Sequence, residues 1–314
     1  MPVGFALATR IQSMAEHNLA YPNDADSTIV SALHQSPTGY DGPARQALSR
    51  IATSVTSRDS IDDFVNEWAA MPRLAEIAKL CIAQVIIAAE SATFLGPHSR
   101  GETTPAVLLA SMRPTWLDQV VRYVGSPRFE RRRLHDALAT TSFVVFNYDR
   151  CIEYYLYANL TSVQGLSAAD AAVAISRINI IHVYGAIDPM PELGGRTSFG
   201  AVDARGLTFA ASGLQTYCES ITSHVAERIR ATVQHAERLV FLGCAFHPQN
   251  MAALFPAGVP SASILGTSWG MRAGRLTSVT RELMNADDFG ANRVDLQSMT
   301  AASLIDYFHD DLFS

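Results

Sequence analysis

The sequence predicts an α/β fold in which a parallel sheet, covered by helices on both faces, follows a large all-helical lobe. Three observations carry that prediction. From about residue 141 onward, short apolar runs alternate with stretches of helical periodicity. Each run is closed by a glycine or a turn, as buried parallel strands are. The first 140 residues hold almost no strand signal.

Taken in order, Phe5–Leu19 reads as an amphipathic helix because Leu7, Ile11, Met14 and Ala15 recur at helical spacing. Tyr21-Pro22-Asn23-Asp24 ends it. Helices are expected over Thr28–Gln35, Pro43–Ser54, Ser60–Ala70 and Arg73–Phe94. Ser60 with Asp63 makes a capped start, and Pro72 stands in a first turn. A further pair is expected at Thr115–Val124 and Phe129–Ala139.

The pattern then changes. Ser142–Phe146 is a β-branched and aromatic run, followed by a helix from Arg150 to Asn159. Ile178–Tyr184 is a second strand, ended by Gly185. A long helix from Gly213 to Ala236 precedes a third strand, Leu239–Leu242, ended by Gly243. Ser263–Leu265 is a fourth, before Gly266, and a helix from Arg275 to Asn285 follows. Arg293–Leu296 adds an edge strand before the terminal helix Ala301–Phe308. Residues 1–20 are then the first helix of the α/β core, 21–140 a helical insertion lobe, and 141–314 the parallel-sheet core.

Composition narrows the function classes. Apolar residues make up 48% of the 314, enough for a sizeable core. A net charge of −6 gives no reason to expect a nucleic-acid partner. The stretch Leu80–Ala89 is interrupted by Gln84 and stops at Glu90, short of the ~20 apolar residues that span a membrane. Arg10 is the one strong cation near the N-terminus, and no small-residue cleavage site follows, so no secretory signal is expected. Cys81, Cys151, Cys218 and Cys244 form no C-x-x-C pair. No metal site is expected, and a cytoplasmic location fits. Arg131-Arg132-Arg133, with Arg128, reads as a solvated basic face or, alternatively, a partner or phosphate contact.

Four short motifs sit where strands end, the place where open α/β sheets bind ligands. Asn147-Tyr148-Asp149 follows the first strand; it serves a ligand, or it is a helix cap and turn. His182 and Tyr184, two apart on the second strand, share a face before Gly185, as ligands or as satisfied core residues. Gly243-Cys244-Ala245-Phe246-His247 and Gly266-Thr267-Ser268 either let a ligand approach the backbone or make tight turns. His247 opens a helix by capping, or contacts ligand.

In this order the motifs resemble the SIR2-like family, over roughly residues 143–270, and most nearly the bacterial members of anti-phage defence that hydrolyse NAD. The resemblance implies a Rossmann-like sheet with the helical segment as the family's small lobe. It implies that Asn147 orients the nicotinamide ribose and the attacking water, and that Asp149 supports the loop or reaches a ribose hydroxyl. Tyr184 stands where the family keeps its histidine base, and His182, two residues back on the same face, would serve as base if the strand end twists or would hydrogen-bond Tyr184. Gly185, Gly243, Ala245, His247, Gly266, Thr267 and Ser268 would line the ligand, the last glycine loops around its adenosine half. The expected activity is hydrolysis of NAD to ADP-ribose and nicotinamide, without metal. Expected partners are NAD or ADP-ribose, a defence-system protein and further copies of the chain, with no membrane and no nucleic acid.

The sequence departs from the family in two places. The family's first strand and glycine-rich phosphate loop are not found; Met1-Pro2-Val3-Gly4 resembles the stretch just after that loop. Either translation starts upstream, or the module lacks its phosphate cradle. Tyr184 replaces the usual histidine, and a phenol with a pKa near ~10 is a poor base at neutral pH. A non-catalytic NAD or ADP-ribose sensor or scaffold is therefore the alternative. The four-cysteine zinc site of the deacetylase branch is absent, which argues against deacylation. No G-x-G-x-x-G follows a strand, which argues against a dinucleotide oxidoreductase.

Overall fold

The computed structural model describes residues 4–24, 26–58, 60–93, 95–96, 113, 115–124, 134, 138–216, 221–256, 258–284 and 293–313. The expected helix Phe129–Ala139 lies largely outside them, as do the Arg128–Arg133 cluster and Cys218. The protein is mixed α/β and divides into two units, each described by itself. One comprises 1–109, 147–175 and 184–221; the other comprises 110–146, 176–183 and 222–314.

The first unit is helical: α1 (Gly4–Ala20), α2 (Thr28–Gln35), α3 (Gly42–Ser54), α4 (Ile61–Glu67) and α5 (Leu74–Ser91). The chain later returns to it for α7 (Cys151–Ser162), α8 (Ala168–Ser176) and α9 (Ala204–Ser212). Helix α5 is apolar nearly all round, so it must be surrounded. It is packed by α1, α3, α4 and α9, with Ile77, Ile82 and Ala83 fully buried. The Ser60 hydroxyl accepts from the Asp63 amide at 3.0 Å and caps α4 as expected. Pro72 does not open α5. Arg73 precedes it in the left-handed region (φ 63°), its guanidinium held by Asp41, Glu76 and the Gly39 carbonyl.

The second unit carries the strands. β1 (Ser142–Val145) pairs in parallel with β2 (Asn179–His182). β3 (Arg238–Phe241), β4 (Ser263–Thr267) and β5 (Arg293–Gln297) form a second parallel sheet with β4 central. Where one sheet is expected, the described strands thus form two, since no ladder joins β1 or β2 to β3, β4 or β5. Helices α10 (Ser223–Gln234), α11 (Pro248–Leu254) and α12 (Ala273–Met284) connect the strands. α10 packs on β2 and α12 on β5. α13 (Ala301–Tyr307) and α14 (His309–Phe313) pack on α6 (Trp116–Val124). Tyr123 of α6 donates to Asp306 at 2.6 Å and stacks on His309. The sequence assigned α6 to the helical lobe; it belongs to the sheet-bearing unit.

Two further expectations fail together. The second strand stops at His182 rather than Tyr184, and no helix begins at Gly213. The Val183 amide still donates to Val145, but the Tyr184 carbonyl accepts instead from Gln215 at 2.9 Å. Gly185 then bridges Leu214 in antiparallel fashion. The described residues 214–216 are not helical, and the helix begins at Ser223, capped by Thr222.

Candidate functional site

The site is a cleft of about 450 Å³ within the sheet-bearing unit, where β3, β4 and β5 end. At that edge the chain turns sharply after β3, with Gly243 in the left-handed region (φ 65°). A Cβ there would meet no atom within 4 Å, so the space before this glycine is open and its backbone conformation sets the residue type. The Gly243 amide donates to the Thr267 hydroxyl at 2.8 Å, and that hydroxyl lies 3.4 Å from the Phe241 carbonyl. Thr267 thereby ties the ends of β3 and β4. The Ser268 amide donates to the Gln297 carbonyl at 2.7 Å, tying β4 to β5. Both hydroxyl residues are buried and line the cleft together with Cys244 and Ala245.

The walls carry the side chains that the sequence reading missed. Trp269 is 72% exposed at the cleft, and Met271, Met299 and Thr300 add a largely apolar lining. Arg275 is the charged residue among the described lining groups. Its guanidinium donates to the carbonyl of Phe246, a fully buried residue held at φ 54°. The available signal was spacing: Arg275 stands eight residues after Thr267, in the first turn of the helix that follows β4. Burial raises the Cys244 thiol above its usual range, and its sulfur accepts from the Phe246 amide.

Of the expected ligand residues, the structure brings Gly243, Ala245, Thr267 and Ser268 together in this cleft. Gly266 lies inside β4 instead. A Cβ there would come within 2.9 Å of the Leu296 side chain and 3.1 Å of Phe241, so a larger residue fits only if those neighbours shift. His247 is exposed at the start of α11, makes no side-chain cap bond and is not among the lining groups.

Asn147, Asp149, Tyr184 and Gly185 belong to the helical unit. Asn147 is exposed, directly after the strand segment. Tyr148 is buried and donates to the Gln215 carbonyl at 3.1 Å. Asp149 accepts from the Cys151 amide at 3.1 Å, the turn-and-cap arrangement at the start of α7. Tyr184 packs against the helical core, and its hydroxyl is raised above the phenol range by burial and, secondarily, by Asp62. Gly185 sits at φ 73°, where a Cβ would come within 2.0 Å of the Gly213 carbonyl oxygen. His182 ends β2 in the other unit, in register with Val145. Because the strand stops there, the alternation that put His182 and Tyr184 on one face does not extend to Tyr184.

A buried ion pair anchors the Asn147 loop. Arg150 and Glu90 have 3% and 0% of their side chains exposed, with Nη2 to Oε2 at 2.6 Å. Glu90 also accepts from the Arg150 and Gly200 amides. Arg150 donates in addition to the carbonyls of Asp188, Thr197 and Ser198. The Asp188 carboxylate closes that loop by accepting from the amides of Arg196 and Thr197. Every polar group of the pair is satisfied, as a buried charge demands. One signal was legible: a glutamate ending the apolar stretch 80–89 of a surrounded helix needs a cation.

No group of three or more His, Cys, Asp or Glu capable of holding a metal occurs among the described residues. No described helix is long and apolar enough to cross a membrane. Comparison with family models, curated proteins and solved structures gives no match for this chain.

Proposed function

We propose that the chain is a SIR2-like protein of Rossmann-like ancestry that binds NAD and hydrolyses it to ADP-ribose and nicotinamide in cytoplasmic anti-phage defence. One observation supports the binding half of this reading. Two of the four motifs singled out in the sequence meet in one cleft at the carboxyl ends of parallel strands, where such sheets take nucleotides. The volume is that of a small-ligand site.

Hydrolysis breaks the bond between ribose C1′ and the nicotinamide nitrogen. Nicotinamide leaves neutral with the bonding pair, and water supplies oxygen to C1′ and a proton to a base. The step needs orientation and water control more than a strong acid, because the leaving group starts cationic. Asn147 as the orienting group and His182 as the base come from the family resemblance. Tyr184 is the weaker candidate base, since its proton is held more tightly than that of a free phenol. That same observation favours the second reading, a sensor that binds NAD or ADP-ribose without turning it over.

The test is to incubate the full chain with NAD, follow nicotinamide release by chromatography, and measure binding by calorimetry. Saturable binding with release that falls at least tenfold in Asn147→Ala and His182→Ala supports hydrolysis. Binding of NAD without release selects the sensor. Absence of both overturns the proposal.

A further inference from the structure

We infer that the β3–β5 cleft selects a dinucleotide bearing a phosphomonoester on its ribose, with Arg275 receiving that phosphate and Trp269 covering the base. This rests on the nucleotide-binding reading and adds a ligand preference to it.

A site that prefers an unphosphorylated ribose reads its two hydroxyls with a carboxylate, whereas an arginine in that place accommodates a 2′-phosphate. Among the described lining residues the cleft presents Arg275 and no carboxylate. A phosphomonoester carries close to two negative charges at neutral pH and offers three acceptor oxygens, which a planar guanidinium engages with two parallel bonds.

The arginine is also held ready. Its Nη2 is fixed on the Phe246 carbonyl, a position made rigid by complete burial of that side chain. Its carboxylate partner among the described residues, Glu282, stands 3.5 Å from Nη1 and is more than half exposed, so solvent weakens that pairing. Glu282 is itself engaged more closely by the Ser278 hydroxyl, at 2.8 Å. With two contacts made, the five-donor guanidinium keeps donors for a ligand. Trp269 supplies an exposed indole on the same cleft, a surface on which a base of any identity can stack.

The experiment uses NADP and NAD as probes, with adenosine 2′,5′-bisphosphate as a third ligand. Each is titrated calorimetrically into the full-length wild type, Arg275→Gln, Arg275→Lys and Trp269→Leu. Wild type should bind NADP about tenfold more tightly than NAD, Arg275→Gln should abolish the preference, and Arg275→Lys should restore part of it. Trp269→Leu, a change at an exposed position, should weaken both dinucleotides by the same factor and abolish the ligand-induced quenching of tryptophan emission. Equal or tighter binding of NAD overturns the inference while leaving the NAD reading intact. So does an equal loss of both dinucleotides in Arg275→Gln. Binding of the bisphosphate without NAD sustains the inference and overturns the NAD reading. Binding of none of the three overturns both.

Discussion

The two units solve the problem of a charged residue in opposite ways. In the helical unit, Arg150 and Glu90 are almost wholly buried, and each spends its hydrogen-bonding capacity on the other and on surrounding backbone. In the sheet-bearing unit, Arg275 is more than a third exposed, pairs loosely with Glu282, and faces a cleft. The same guanidinium chemistry thus fixes a loop in one unit and remains open to a ligand in the other. The apolar residues repeat the contrast. Ile77 and Ile82 of α5 are fully buried, whereas Val240 of β3 is 38% exposed on a strand type usually covered on both faces. Closed packing belongs to the unit that holds the Asn147 loop, and accessible surface to the unit that carries the cleft.

The sharpest way to break this comparison is to remove one charge from each pair. Glu90→Ala leaves a buried guanidinium without its counter-ion and should cost about 3–5 kcal/mol in urea denaturation. Glu282→Ala should cost less than about 1 kcal/mol. Similar losses in both would refute the distinction.

Two glycines with the same backbone conformation extend the test. Gly185→Ala must displace the Gly213 carbonyl and should cost about 1–3 kcal/mol for overpacking, beyond the strain of the left-handed backbone. Gly243→Ala meets open space and should cost only that strain, about 1–2 kcal/mol. Denaturation midpoints that rank the two in the reverse order would contradict the geometry.

A smaller effect, per unit of pH, comes from the thiols. Burial pushes Cys81 up to about 12. The folded state therefore holds this proton more tightly than the unfolded chain does. The resulting stability is complete below the ordinary thiol range and is lost as pH rises from there toward about 12. Loss should run at roughly 1.4 kcal/mol per pH unit in that window, and Cys81→Ala should flatten it. Cys244, raised less and lining the cleft, should alkylate in the native protein while Cys81 reacts only on unfolding.

Local signals carried much of this architecture. Helix α2 falls on its expected residues, and the strand positions follow their β-branched runs, because burial periodicity and caps are local properties. What the sequence concealed depends on partners far apart along the chain. The division of the five described strands between two sheets is a matter of which edges meet, which no single strand encodes. The end of β2 at His182 is set by Gln215, more than thirty residues on. Glu90 hinted at a buried cation, but its partner lies sixty residues away in a motif read for its asparagine. In the cleft, the glycine and hydroxyl turns were legible as turns. Arg275 and Trp269 were not legible as a pair, since a helix and the loop before it bring them to the same cleft.

Amide hydrogen exchange with and without saturating NAD tests most directly whether ligand binds in the cleft. Slowed exchange is expected over 243–246 and 268–271, with the amides of α5 unchanged. Unaltered exchange in both loops, or protection confined to the helical unit, would contradict it.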